Sequence, residues 1–155
     1  MTITIQSVAG TFGYRHQLDR ARRFLIRMEE ARNDIDAQDM AWAFFQNCWH
    51  VKDWLSNDPF VGAAAKEIAL KLAHASTALT TCQALCNGTK HLGSRPGASD
   101  HHVDTQITPG GSTEIDCLIA DGNGPQLSGM RLAHDCIAEW EHILRSQGLA
   151  TARLS

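Results

Sequence analysis

The stretch "PFVGAAAKEIALKLAHASTALTTCQALCNG", residues 59–88, decides how the rest of the chain is read. Val61, Ala65, Ile68, Leu72, Ala75, Leu79, Cys82 and Cys86 fall at alternating spacings of four and three. At that period, helix positions share one face. The spacing predicts one unbroken helix from Pro59 to Asn87, with this row as its buried seam. Asn57 or Asp58 offers a cap, and Pro59 suits the first helical position. Gly88 supplies the left-handed residue that ends helices. Such a helix would be about 43 Å long.

Working outward, two helices precede it. The first is predicted from Tyr14 to Arg32, with Tyr14, Leu18, Ala21, Leu25 and Met28 as its apolar stripe. The second runs from about Asp36, read as its cap, through "AWAFFQNCWHVKDWL" to Leu55. Aromatic residues cover most of its circumference. A narrow polar stripe remains at Gln46, His50, Asp53 and Asn57. Beyond Gly88 the composition shifts to turn and β-branched residues. Short strands are expected near Val103–Thr108 and Thr113–Ala120, joined by "TPGGS". A last helix, from about Ser128 to Gln147, carries Met130, Ala133, Ile137, Trp140 and Leu144 on one stripe. At the N-terminus Ile3 and Ile5 alternate, as in a short strand or a loose tail.

The expected fold is therefore mainly α: an up-down four-helix bundle with a small β-hairpin inserted before the last helix. The 155 residues form one domain. Its parts are a three-helix core over 14–92, a loop and hairpin over 93–124, and the C-terminal helix over 128–147.

Hydrophobic residues make up 43% of the chain and charged residues 20%, as in ordinary globular domains. A net charge of -3 argues against a general polyanion binder. No apolar run is long enough to span a bilayer. The first residues lack the basic and apolar regions of a signal peptide. The five cysteines form no C-x-x-C pair, so reduced thiols in a cytoplasm are expected. Cys48, Cys82 and Cys86 read as small buried hydrophobes.

Four groups of residues are candidates for chemistry. Arg15, Arg20, Arg22, Arg23 and Arg27 lie mostly off the first helix's apolar stripe. They suit either a nucleic-acid footprint or a solvated helix face diluted by Glu29 and Glu30. His101 and His102 are expected in a surface loop. His50 and Asp53, one turn apart, can hydrogen bond, offer two metal ligands, or simply form the wet side of an amphipathic helix. The fourth group is the run Cys86-Asn87-Gly88-Thr89-Lys90-His91. Cations just past a helix C-terminus are favourable on dipole grounds alone.

That run, after a long helix, resembles the motif of the HEPN superfamily of small helical bundles, which includes many toxin and defence ribonucleases. Their motif is an arginine, a polar residue and then a histidine. Asn87 and His91 match in type and spacing, and Cys86 stands where the family has arginine. The resemblance implies a homodimer that binds RNA or cuts it without metal at a site of Asn87, Lys90 and His91. In the family, arginine and histidine of two subunits face each other, activate the 2′-hydroxyl and stabilise the phosphorane charge. Lys90 is the replacement cation here, as a point charge at another angle. A protein that kept the bundle and lost the chemistry, a dimeric interaction or assembly protein, is the alternative. "FFQNCWHVKDWL", "NGTKHL" and "CIAEWEHIL" also resemble a group of small bacterial proteins, a likeness that adds no activity.

A third reading joins His91 to His50 and Asp53 as a metal triad. A straight third helix antiparallel to the second carries His91 away from His50, so no transition metal and no cofactor are expected.

Overall fold

The computed structural model describes residues 13–88, 101–107, 115–121 and 127–154. The described chain is mainly helical. Five helices, α1 (Tyr14–Glu29), α2 (Asp34–Ser56), α3 (Ala63–Ala75), α4 (Thr77–Gly88) and α5 (Gly129–Ser146), are accompanied by β1 (His101–Ile107), β2 (Ile115–Asp121) and β3 (Leu127–Ser128). The strands pair antiparallel in the order β1-β2-β3, with Val103 opposite Ile119 and Leu118 opposite Ser128. His101 and His102 open β1 rather than lying in a loop. The alternating β-branched and polar residues that follow them extend the strand back to include both.

α2 is the central element. It packs against α1, α3, α4, α5, β1 and β2. This is why its aromatic residues point in several directions. Phe44 and Phe45 are fully buried and meet edge to face, with ring centroids 5.1 Å apart. The α2 N-cap is Asn33, not Asp36: Asn33 Oδ1 accepts the Asp36 backbone N–H at 2.9 Å. The expected stripes of α1 and α5 are core faces. Tyr14, Leu18, Ala21, Leu25 and Met28 are buried, as are Ala133, Ile137, Trp140 and Leu144. Ser128 caps α5 through Arg131 N–H at 3.1 Å. Gly148, at φ +69°, takes the left-handed conformation just past its end.

Asp58 does not cap the third helix. Its Oδ2 accepts the Tyr14 N–H at 3.1 Å, at the N-terminus of α1, where an anion is favoured. Its Oδ1 accepts Phe60 N–H at 2.9 Å. Gly13 is required by this contact, since a Cβ there would lie 2.2 Å from Asp58 Oδ2.

The single long helix of residues 59–87 is not formed. The chain breaks at Ser76, whose ψ of 126° is extended. Ser76 Oγ then accepts the Leu79 N–H at 3.3 Å and so caps a new helix, α4. The seam breaks with it. In α3 the buried residues are Ala69 and Ala73, while Ile68 and Leu72 are 46% and 40% exposed. Of the row, Val61 at its start and the α4 half, Leu79, Cys82 and Cys86, enter the core, joined there by Leu85. Small alanines are the face that lets α3 approach its neighbours closely. Ile68 and Leu72 are left largely outside, while Leu70 packs partly buried against the core.

The break also reverses direction. Cys82 Sγ meets Phe45 O at 3.3 Å, and Cys86 Sγ lies 4.0 Å from His50 Nε2. Residue numbers rise together along both helices, so α4 runs parallel to α2. His74, at the end of α3, meets Trp49 edge to face with centroids 5.4 Å apart.

Two truncations separate the broken helix from a continuous one. Leu79→Ala should lower the unfolding free energy by about 2–5 kcal/mol and Leu72→Ala by less than about 1 kcal/mol, measured by urea denaturation. Equal losses at the two positions would contradict the assignment of the α3 face.

Candidate functional site

Four of the five arginines of α1, Arg15, Arg20, Arg22 and Arg27, make contacts within the chain. Arg22 is buried. It binds Asp19 Oδ1 and Glu141 Oε1 at 2.8 Å each, and the Thr151 carbonyl at 2.6 Å. Arg15 donates to the Ala152 carbonyl at 3.0 Å. Asp19 accepts the Leu154 N–H at 2.8 Å, and the Tyr14 hydroxyl donates to the Ala150 carbonyl at 2.7 Å. These bonds fasten the C-terminal segment onto α1, and burial pushes the Tyr14 phenol up from its usual value. Arg20 donates to Gln17 Oε1 and lies over the Trp54 ring, and Arg27 lies over Phe24. Arg23 is exposed. The five arginines thus form no continuous basic stripe. Beside them a groove of about 530 Å³ between α1 and α5 is lined by Arg22, Arg145 and Arg153 and also by Glu29, Glu141 and His134. His134 Nε2 lies 2.6 Å from Glu29 Oε1. Its mixed charges suit no single ion.

The polar stripe of α2 grows wetter toward its C-terminus: His50 is half-buried, and Asp53 and Asn57 are exposed. Asp53 pairs with Lys52 at 2.6 Å. His50 turns toward α4, where its Nε2 meets Cys86 Sγ. The expectation that His50 lies far from the end of the third helix is therefore corrected. A straight helix would have carried Cys86 past the start of α2, and the turn at Ser76 brings it back alongside. Asn87 follows on α4 and is exposed. Lys90 and His91 lie outside the described residues. The structure thus brings His50 and the first residue of the Cys86–His91 run together, two groups that spacing alone kept apart.

A second constellation was not legible as a site. Cys48 of α2, Cys82 of α4 and Cys136 of α5 are buried, and their sulfurs all lie within 4.8 Å of one another. Each helix is tied to another at this level. Trp140 Nε1 donates to the Cys48 carbonyl at 3.0 Å, Cys82 Sγ to the Phe45 carbonyl at 3.3 Å, and Cys136 Sγ to the Ala78 carbonyl at 3.4 Å. Burial pushes the Cys82 thiol well up, and the contact with Cys48 does the same to Cys136. Burial works against ionising Cys48 too, but S–H donation from Cys136 and then Cys82 overcomes it and lowers that thiol to about 5. Each S–H carries one proton, so donation to Cys48 competes with the Phe45 and Ala78 carbonyls. The three titrate as a set. The reading of Cys48 and Cys82 as small hydrophobes describes their burial and misses their convergence. No spacing rule connects cysteines on three separate helices.

No family model, curated protein or solved structure matches the chain. Among the described residues, no helix is long and apolar enough to cross a membrane.

Proposed function

We propose that this chain is a HEPN-like RNA-binding protein, with slow metal-independent cleavage, whose site combines His50 and Asp53 of α2 with Asn87, Lys90 and His91. The observation that supports it is the 4.0 Å approach of His50 Nε2 to Cys86 Sγ. Cys86 occupies the place of the family's arginine. His50 reaches that place from the neighbouring helix and sets an imidazole where the motif has a cation. In this reading the split third helix replaces one member of the four-helix bundle, and the paired strands are the inserted hairpin. The assignment to a cytoplasmic toxin or defence setting rests on the resemblance alone.

The chemistry follows from the residue types. A neutral His91 imidazole takes the 2′-hydroxyl proton near neutral pH. Lys90 offsets the charge that develops on the phosphate, with the His50 imidazole beside it. Asn87 orients the backbone through its amide. Of the α1 arginines, Arg15 and Arg22 are held in internal bonds while Arg23 and Arg27 are exposed, so few cations face a bound phosphate backbone and binding should depend only shallowly on salt.

The test is cleavage of single-stranded RNA by wild type, His91→Ala and His50→Ala, with binding measured separately at one salt concentration. His91→Ala should slow cleavage by about 10²-fold or more while leaving binding nearly intact. Equal rates in wild type and His91→Ala would overturn the catalytic role. Wild-type binding that is lost in His50→Ala, without cleavage in either protein, would mark a site that recognises RNA and no longer cuts it.

A second reading, a dimeric interaction or assembly protein, is favoured by the outer face of α3. Exposed Ile68, Leu72 and Ala75 lie on it, flanked by Ala65, which is partly buried against the core, at spacings of three, four and three along the row. That pattern is symmetric about residue 70. Two copies of α3 packed antiparallel would set Ile68 against Leu72 of the partner subunit, which makes the face self-complementary about a two-fold axis. Sedimentation equilibrium of wild type and of the double variant Ile68→Glu, Leu72→Glu checks this. Dimer in the first and monomer in the second is expected. A monomeric wild type at micromolar concentration would remove this reading.

A further inference from the structure

We propose that Cys48, Cys82 and Cys136 form a structural site for one thiophilic d10 cation, Zn(II) or Cu(I), that fastens α2, α4 and α5 together.

Three observations carry the proposal. The sulfurs converge: all three lie within 4.8 Å of one another. A metal–sulfur bond of about 2.3 Å sets ligand sulfurs about 3.8–4.0 Å apart in tetrahedral or trigonal geometry. The contraction needed is at most about 1 Å, within reach of thiol rotamers. The ligands are also held in place from outside the trio. The Trp140–Cys48, Cys82–Phe45 and Cys136–Ala78 contacts fix the backbones and side chains that present the sulfurs. Preorganised ligands on helices are what a structural metal site needs. Finally, the donor set is sulfur alone, in a core of Phe45, Trp140 and Leu79. Soft thiolates select Zn(II) and Cu(I) over the oxygen-seeking Mg(II) and Ca(II).

Binding is an exchange of protons for metal. Each thiol that ligates gives its proton to solvent, with no change of oxidation state. The cation supplies the positive charge that the buried thiolates otherwise lack, which offsets part of the cost of ionising them. With every ligand in the core, the ion enters as the helices assemble, and it acts on stability rather than on substrate. The site is separate from the His50–Asn87 surface and does not rest on the function proposed above.

The experiment uses the whole chain, purified under reductant without chelator, stripped of metal, and titrated anaerobically with Zn(II) or with Cu(I) under a competing ligand. One equivalent of one of these ions should bind, raise the thermal unfolding midpoint and release more than one proton. X-ray absorption of the loaded wild type should show three sulfur ligands at about 2.3 Å. This readout needs no variant and so survives any failure of a cysteine substitution to fold. Cys82→Ser should lose the stabilisation, whereas Cys86→Ser, one helical turn away, should keep it. No stoichiometric binding of either ion, or a first shell with fewer than three sulfurs, would overturn the proposal.

Discussion

At Ser76 one backbone angle and one hydroxyl decide the course of the chain. The residue leaves the helical basin with ψ at 126°, and its Oγ immediately begins the next helix by accepting the Leu79 N–H. A serine cap of this kind contributes only about 1 kcal/mol. The break persists because both halves bury better apart. Ala69 and Ala73 pack α3 closely at one end, and Leu79, Cys82, Leu85 and Cys86 fill the core at the other. A straight helix would sacrifice one of these faces. From the turn follow the parallel course of α4 beside α2, the meeting of His50 with Cys86, and the convergence of the three thiols.

The core and the polar surroundings divide the work. α2 lies at the centre and offers aromatic and small residues in all directions. α1 is fixed at its N-terminus by Asp58 and along its length by bonds to residues 150–154. Arginines on a helix are commonly read as a surface for polyanions. Here burial and geometry give Arg15 and Arg22 a different task, to anchor the C-terminal segment.

Much of the helical content is legible in the sequence, because the α1 and α5 stripes repeat at helical spacing and their largest members, Leu18, Met28, Trp140 and Leu144, are deeply buried. The break is not legible. The row from Val61 to Cys86 keeps its period through Ser76, and alanines at 69 and 73 are as apolar by count as the seam beside them. Which stripe faces inward is decided by how closely neighbours approach, and that is a tertiary property. The same holds for the thiols. Each cysteine fits a hydrophobic position locally, and only the packing of three helices brings their sulfurs to one point. His50 and Cys86 were each visible as candidates, and their proximity was hidden by the assumed straight helix.

The most direct test of this account is the contact between α2 and α4. In a nuclear Overhauser experiment on labelled protein, the His50 ring protons should give cross-peaks to the Cys86 β protons, and Phe45 to Cys82. Strong amide–amide connectivity should be interrupted at Ser76. An unbroken helical pattern through Ser76, with no His50–Cys86 cross-peak, would contradict the turn and with it the thiol cluster and the proposed site.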